Sequence, residues 1–133
     1  MKTLQMDIII ALRTLARPMR NQLAGLGVSR KREPVAALMV AEHIARSITR
    51  NHRFIQEGSA VSVKMVETFL TKALMDLPDP LIRAFGSKSQ LESDPAGDEI
   101  SHRLTDQLKA VWEIIYVERD TRPGPSTYWR SEF

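Results

Sequence analysis

Arginine is the residue type whose spacing in this chain could do chemistry. Arg46, Arg50 and Arg53 recur at steps of three and four residues, and this row is preceded three residues earlier by His43. In a helix, that spacing places the side chains on one face. Guanidinium groups bind phosphate oxygens well, so such a row is typical of a surface that meets a polyanion. Together with the basic run that follows Ser29, it predicts a nucleic-acid-binding surface made of Arg30, Lys31, Arg32, His43, Arg46, Arg50 and Arg53.

Other residue types offer little catalytic chemistry. The chain has 3 histidines and no cysteine, which excludes thiol nucleophiles and zinc-thiolate sites within it. It contains no His-Glu-x-x-His pair, phosphate-binding glycine loop or Gly-x-Ser-x-Gly turn. The acidic segment 92–99 lacks the spacing of a calcium loop, and His52 is interpreted as a hydrogen-bonded structural histidine. We therefore expect no catalytic residue, metal or cofactor, and predict that this chain is not an enzyme.

Helices must position the arginines. The segment 34–55 is predicted to be one long helix, begun by Pro34 at a position where its missing N–H is not needed. The segment 4–26 repeats apolar residues at the same steps, but Pro18 interrupts it and predicts a kink or a break near Arg17. The apolar stripe of the long helix consists of Ala37, Leu38, Ala41, Ile44, Ala45, Ile48 and Ile55.

Two further helices follow. Ser59 or Ser62 can cap a helix that Pro78 ends, and apolar steps from Ile100 to Ile115 predict a last helix. The segment 86–98, rich in Ser, Gly, Asp and Pro, is predicted to be a surface loop. These patterns predict an all-α fold, an antiparallel bundle of about four main helices with a kinked first helix and an extended C-terminal tail.

The tail differs in composition from the rest of the chain. Because the run Arg122-Pro123-Gly124-Pro125 cannot continue a helix, we divide the chain into a single helical domain, residues 1–120, and a Pro/Gly-containing aromatic tail, residues 121–133. Several aromatic residues in so short a segment are typical of a contact surface. The predicted partner-binding residues are Tyr128, Trp129 and Phe133.

The stretch from Gln22 to Arg30 resembles the first helix and turn of a helix-turn-helix, a family of DNA-binding motifs. It reads Gln-Leu-Ala-Gly-Leu-Gly-Val-Ser-Arg, and such motifs often have Leu-Ala, a spacer and then Gly-Val-Ser. The resemblance implies a polar recognition helix after Ser29. Two features depart from the motif, because the spacer before Gly27 is shorter than usual and Pro34 would lie inside the recognition helix.

Charge and hydropathy bear on the partner and the compartment. The formal net charge is +3, with the cations concentrated in residues 1–64 and the acids in residues 65–133. Such asymmetry is typical of a polyanion-facing side, and it also fits a head-to-tail contact between subunits or a solvated surface. No apolar run is long enough to cross a bilayer, and residues 1–20 are interpreted as an ordinary first helix rather than a presequence. We expect a cytoplasmic protein without membrane contact.

Two functions follow as hypotheses. The first is a small non-enzymatic DNA-binding or regulatory module that contacts phosphates through the arginine-rich surface. The alternative is an adaptor or inhibitor subunit that binds another protein through the amphipathic first helix and the aromatic tail. The expected partners are therefore nucleic acid, a second copy of the chain in a homodimer, or another protein. No small-molecule substrate is evident from the sequence.

Overall fold

The computed structural model describes residues 3–25 and 33–117 of the chain. Within these ranges the chain is mostly helical and carries a small three-stranded sheet. The predicted all-α class therefore holds for most of the described residues, and the sheet corrects it. In chain order the elements are α1 (Leu4–Arg13), α2 (Arg17–Ala24), α3 (Pro34–Ile48), β1 (His52–Gln56), β2 (Ser59–Ala60), α4 (Val63–Met75), α5 (Asp79–Phe85), α6 (Gln90–Val111) and β3 (Glu113–Tyr116).

The first helical segment breaks in two where Pro18 predicts it. Pro18 lies in the first turn of α2, where a missing N–H costs no hydrogen bond. Gly25 ends α2 with a φ of 78°, a left-handed conformation that glycine adopts without penalty. Residues 26–32, which contain most of the turn and the start of the recognition helix that the helix-turn-helix resemblance implies, lie outside the described residues.

The predicted helix over residues 34–55 is wrong beyond Ile48. α3 ends there, and the chain enters β1 after a short turn. Glu57 and Gly58, with φ of 52° and 82°, then return the chain into β2. Positive φ at both central residues is the type I′ geometry, which matches the twist of a β-hairpin. Along the first residues of β1, buried and exposed side chains alternate, which is the period of a strand rather than a helix.

The predicted surface loop over residues 86–98 is wrong from Gln90 onward, because α6 begins there. The start of α6 is buried against α5: the Ser93 hydroxyl donates to the Phe85 carbonyl (2.7 Å), and Ser93 and Ala96 are buried. Pro95 lies inside the helix, where it removes one backbone hydrogen bond. Tertiary packing thus overrides a local sequence that favours a loop.

The predicted last helix is wrong after Val111. Residues 113–116 form β3, an antiparallel strand beside β1 that pairs Ile114 with Phe54. Between helix and strand, Trp112 turns into the core, and its ring centroid lies 6.0 Å from Phe54 and 5.1 Å from Phe69. The sheet order is β2-β1-β3. β3, which follows α6, therefore pairs with β1, which follows α3.

α3 is the centre of the packing and contacts α1, α2 and α4. Its residues Ala37, Ala41 and Ala45 have no exposed surface, and side chains this small let neighbouring helices approach closely. α1 lies between α3 and α6, and α5 packs on α2 and α6. Part of the apolar stripe of the first helical segment is buried in the same core, against which Leu15 and Met19 pack as partly buried side chains. Its buried members are Leu4, Ile8, Leu12 and Leu23.

The proline inside α6 can be tested by substitution, with a proline at the start of α3 as the control. We expect Pro95→Ala to raise the free energy of unfolding by about 1–3 kcal/mol, because alanine restores a hydrogen bond inside the helix. The matched control is Pro34→Ala, which changes the first residue of α3 and should shift stability by less than about 0.5 kcal/mol. Urea denaturation followed by circular dichroism measures both. A loss of stability in Pro95→Ala would contradict a regular helix at this position.

Candidate functional site

Only part of the predicted nucleic-acid surface can be located. Arg30, Lys31 and Arg32 lie outside the described residues, as do the predicted partner-binding residues Tyr128, Trp129 and Phe133. Those that the structure describes do not lie on one helix. His43 and Arg46 belong to α3, Arg50 to the turn after it, and Arg53 to β1.

His43 is engaged by the neighbouring helix. Its Nε2 atom lies 2.9 Å from the Thr14 hydroxyl and 3.0 Å from the Ala11 carbonyl oxygen. Both partners belong to the last turn of α1 and its C-cap, where carbonyl groups lack helical donors. An N–H at Nε2 donates to this helix end, so His43 fastens α3 to α1 and is half-buried there.

The other three residues gather at the C-terminal end of α3. Arg46 lies in its last turn, Arg50 directly follows the C-cap Thr49, and all three guanidinium-bearing side chains are exposed. Arg53 donates to the carbonyls of Thr49 (2.8 Å) and His52 (3.2 Å). Cations at this end of a helix are favoured by its dipole. Among the described residues, no carboxylate lies within ion-pairing distance of Arg46 or Arg50.

The arginines of the first helical segment do not join this group. Arg13 pairs with Asp98 of α6 (3.3 Å), and Arg17 donates to the Ser87 carbonyl (3.1 Å). Both therefore face the start of α6 rather than the C-terminal end of α3. Within the described residues, the arginines of α1 and α2 and those at the end of α3 therefore form two groups with different partners.

Arg20 is the most enclosed of these arginines. It donates to the carbonyls of Leu12 (3.2 Å) and Arg13 (3.1 Å) at the end of α1, and to the Ser93 hydroxyl (3.1 Å). Its guanidinium carbon lies 5.0 Å from the centre of the Phe85 ring, a cation–π distance. Burial, and after it the repulsion of Arg17, lowers the pKa of Arg20, whereas Asp94 acts to raise it. Arg20 thus joins the broken first segment to α5 and α6.

His52 and Asp7 form a buried ionisable pair. The His52 Nδ1 atom lies 3.5 Å from an Asp7 carboxylate oxygen and 3.2 Å from the Ile48 carbonyl. Both side chains are almost fully buried, and the ring of Tyr116 packs edge-on against His52. The interpretation of His52 as a hydrogen-bonded structural histidine agrees with this arrangement, although its element is a strand.

A groove of about 480 Å³ lies between α3 and α4. Its volume falls within the range of binding pockets. The hydroxyls of Thr68 and Thr71 donate to backbone carbonyls of their own helix (3.0 and 2.8 Å), so their hydrogens are already engaged within α4. Lys72 is near Asp76 (3.6 Å) at the rim. The lining residues are Pro34, Val35, Leu38, Thr68, Thr71, Lys72 and Met75.

Sequence reasoning missed this groove, which we call the α3–α4 groove. It assigned Leu38 to the buried stripe of α3, but Leu38 is 42% exposed, and the neighbouring Val35 and Met39 are 65% and 47% exposed. The available signal was a helix with more apolar positions than one buried face needs. Contiguous exposed apolar side chains of this kind are typical of an interaction surface.

Comparison with known proteins gives no relative: no family model, no curated protein and no solved structure matches this chain. Within residues 3–25 and 33–117, no helix combines the length and apolar character needed to span a bilayer. The same part of the chain contains no group of three or more metal-ligating side chains placed to hold an ion.

The role of Arg20 can be tested by stability. We expect Arg20→Ala to lower the free energy of unfolding by about 2–4 kcal/mol, because carbonyls at the end of α1 and Ser93 lose a charged donor. Arg17→Ala, which removes an exposed arginine with one such hydrogen bond, should cost about 1 kcal/mol or less. Guanidinium chloride titration measures the two side by side. Equal, small losses would contradict the role of Arg20 as a tie between helices.

Proposed function

We propose that this chain is a protein-interaction module whose α3–α4 groove holds a short apolar segment of another protein. The observation that carries the proposal is the groove itself, in which exposed Val35 and Leu38 face α4 residues whose hydroxyls are already hydrogen-bonded. Apolar side chains that cover this surface remove it from water, and that transfer has a favourable free energy. This proposal develops the protein-binding hypothesis, with the groove in place of the first helix.

The groove favours a peptide segment over an enclosed small molecule. It is open to solvent between α3 and α4, as hydrophobic grooves that receive peptide segments are. Met75 offers a flexible, polarizable side chain that adapts to different partners. Charge at the rim is balanced, since Lys72 lies near Asp76. The expected partner segment therefore carries large apolar side chains and has no required net charge.

Selection of displayed random peptides on the immobilised chain tests this proposal without a known partner. We expect enriched peptides rich in large apolar residues, with binding that Leu38→Glu weakens by at least about tenfold, since a charge in an apolar groove costs more than 1.4 kcal/mol. The matched control is Leu91→Glu, because Leu91 is 89% exposed on α6 and does not line the groove. No enrichment, or equal loss in both variants, would contradict the groove as the binding surface.

Contact with a nucleic acid is a second candidate function, favoured by the exposed arginines at the end of α3. Arg46 and Arg50 have no carboxylate partner among the described residues, and each guanidinium can meet one phosphate. Arg13, Arg17 and Arg20 do not belong to the proposed surface, because they contact α6 and the residues just before it. Binding would be dominated by charge and would lack base readout from these residues.

Salt dependence tests this second function. Fluorescence anisotropy with duplex and single-stranded DNA and RNA gives the slope of log K against log salt. The double variant Arg46→Ala/Arg50→Ala should reduce the magnitude of that slope by about 2, as expected for two lost phosphate contacts. The control Arg83→Ala/Arg103→Ala removes the same charge from α5 and α6. It should leave the contribution of Arg46 and Arg50 to the slope unchanged. Equal effects of the two double variants would exclude a dedicated site at the end of α3.

A further inference from the structure

β3 lies at one edge of the three-stranded sheet, with β1 on its inner side. The Val117 N–H donates to the Asn51 carbonyl (2.7 Å), so Val117 directs its backbone groups toward β1. Because these directions alternate along an antiparallel strand, Ile115 does the same, whereas Ile114 and Tyr116 direct their backbone groups outward. In the described part of the chain, no group is hydrogen-bonded to these outward N–H and C=O groups.

The sequence of β3 does not protect this outer edge. Natural sheets protect exposed edges with charged residues, proline, bulges or very short strands. β3 and the residue after it read Glu-Ile-Ile-Tyr-Val, with one charge and no proline. On the solvent face of the sheet, Ile115 is 44% and Val117 36% exposed. The opposite edge strand, β2, has only 2 residues, so β3 is the edge of this sheet that is suited to pairing.

A second copy of β3 fits this edge in the antiparallel orientation. When the two-fold axis passes between the Ile115 residues of the two copies, Ile114 of each copy lies opposite Tyr116 of the other. The outward N–H and C=O groups of both residues then hydrogen-bond across the contact, and none of them is left unpaired. The same register places the two Ile115 side chains side by side on the solvent face, as an apolar cross-strand pair.

Charge does not oppose this pairing. Glu113 is the charged residue of β3, and this register offsets the two copies of Glu113 by four residues along the strands. They are then about 14 Å apart, which exceeds the Debye length of about 8 Å at physiological salt. The two negative charges are therefore largely screened from each other, and the centre of the contact is apolar.

We infer that two copies of this chain associate through β3 and join their sheets into one continuous antiparallel sheet. The two-fold symmetry closes the contact, so it forms dimers and not fibres. The contact is smaller than a standard interface of about 1,600 Å², so the dimer dissociates on dilution. No residue that lines the α3–α4 groove belongs to this contact, and the inference does not rest on the proposed function.

The absence of cysteine makes disulfide cross-linking a direct test of the register. Ile115→Cys places the thiols of two copies opposite each other, with the Cα atoms about 4.5 Å apart, a separation that a disulfide accepts. We expect mild oxidation of the full chain to give a covalent dimer on a non-reducing gel. Val117→Cys is the matched control on the same face, because its thiols belong to Cα atoms about 14 Å apart and should give no covalent dimer above the collision level of Leu91→Cys.

Sedimentation velocity over a concentration series measures the association itself. We expect the wild-type mass to rise from the 15.1 kDa of one chain toward twice that value. Ile115→Glu should weaken association by at least about tenfold, because two carboxylates then lie directly opposite each other. The control is Val111→Glu, since Val111 is 50% exposed at the end of α6 and lies outside the strand. Circular dichroism checks that each variant folds.

The opposite results overturn the inference. A wild-type chain that stays monomeric at every concentration does so, and so does a dimer that folded Ile115→Glu leaves intact. Equal cross-linking of Ile115→Cys and Val117→Cys excludes the register. Leu38→Glu in the groove should leave the dimer unchanged, and loss of the dimer in that variant would move the contact to the α3–α4 groove. Peptide selection on the groove reports separately on the proposed function.

Discussion

Close burial of α3 among its neighbours is the constraint on which the rest of this structure depends. Ala37, Ala41 and Ala45 present a flat surface with no exposed area, so α1, α2 and α4 all approach one helix. After Ile48 the chain leaves as a strand, and β1 gains a partner in β3.

The arginines show how the same spacing can serve two purposes. A guanidinium group carries five donors and satisfies carbonyl oxygens as readily as phosphate oxygens. At the break between α1 and α2, the last carbonyls of α1 lack helical donors, and Arg20 supplies them. Arg53 does the same at the end of α3. Arg46 and Arg50, by contrast, extend from that end into solvent, which is why an anion remains a candidate partner there.

The α3–α4 groove follows from the same packing. α3 buries its alanines in the core, while Val35 and Leu38 stay exposed and line the groove together with residues of α4. Exposed apolar side chains gathered at one helix pair are the basis of the proposed interaction.

Local chemistry made several elements predictable from the sequence. Pro18 broke the first segment, Pro34 began α3, and Ser62 caps α4 by accepting from the Met65 N–H (3.2 Å). Each depends on residues a few positions apart, so the sequence contains the whole cause. Among the site residues, the sequence identified exposed arginines at the end of α3 but also counted His43, whose ring is bound to α1.

Only the tertiary structure decided the elements and surfaces that depend on distant partners. β1 and β3 are stabilised by hydrogen bonds to each other across the length of the chain, and the helical spacing of their apolar residues was accidental. α6 continues through Pro95 because Ser93 and Ala96 are buried against α5. The groove arises beside the buried contact between α3 and α4, where exposed residues of both helices line it. Hydrophobic period and turn residues report the local energy of a segment, whereas strand pairing, burial and concave surface arise from contacts that no single segment contains.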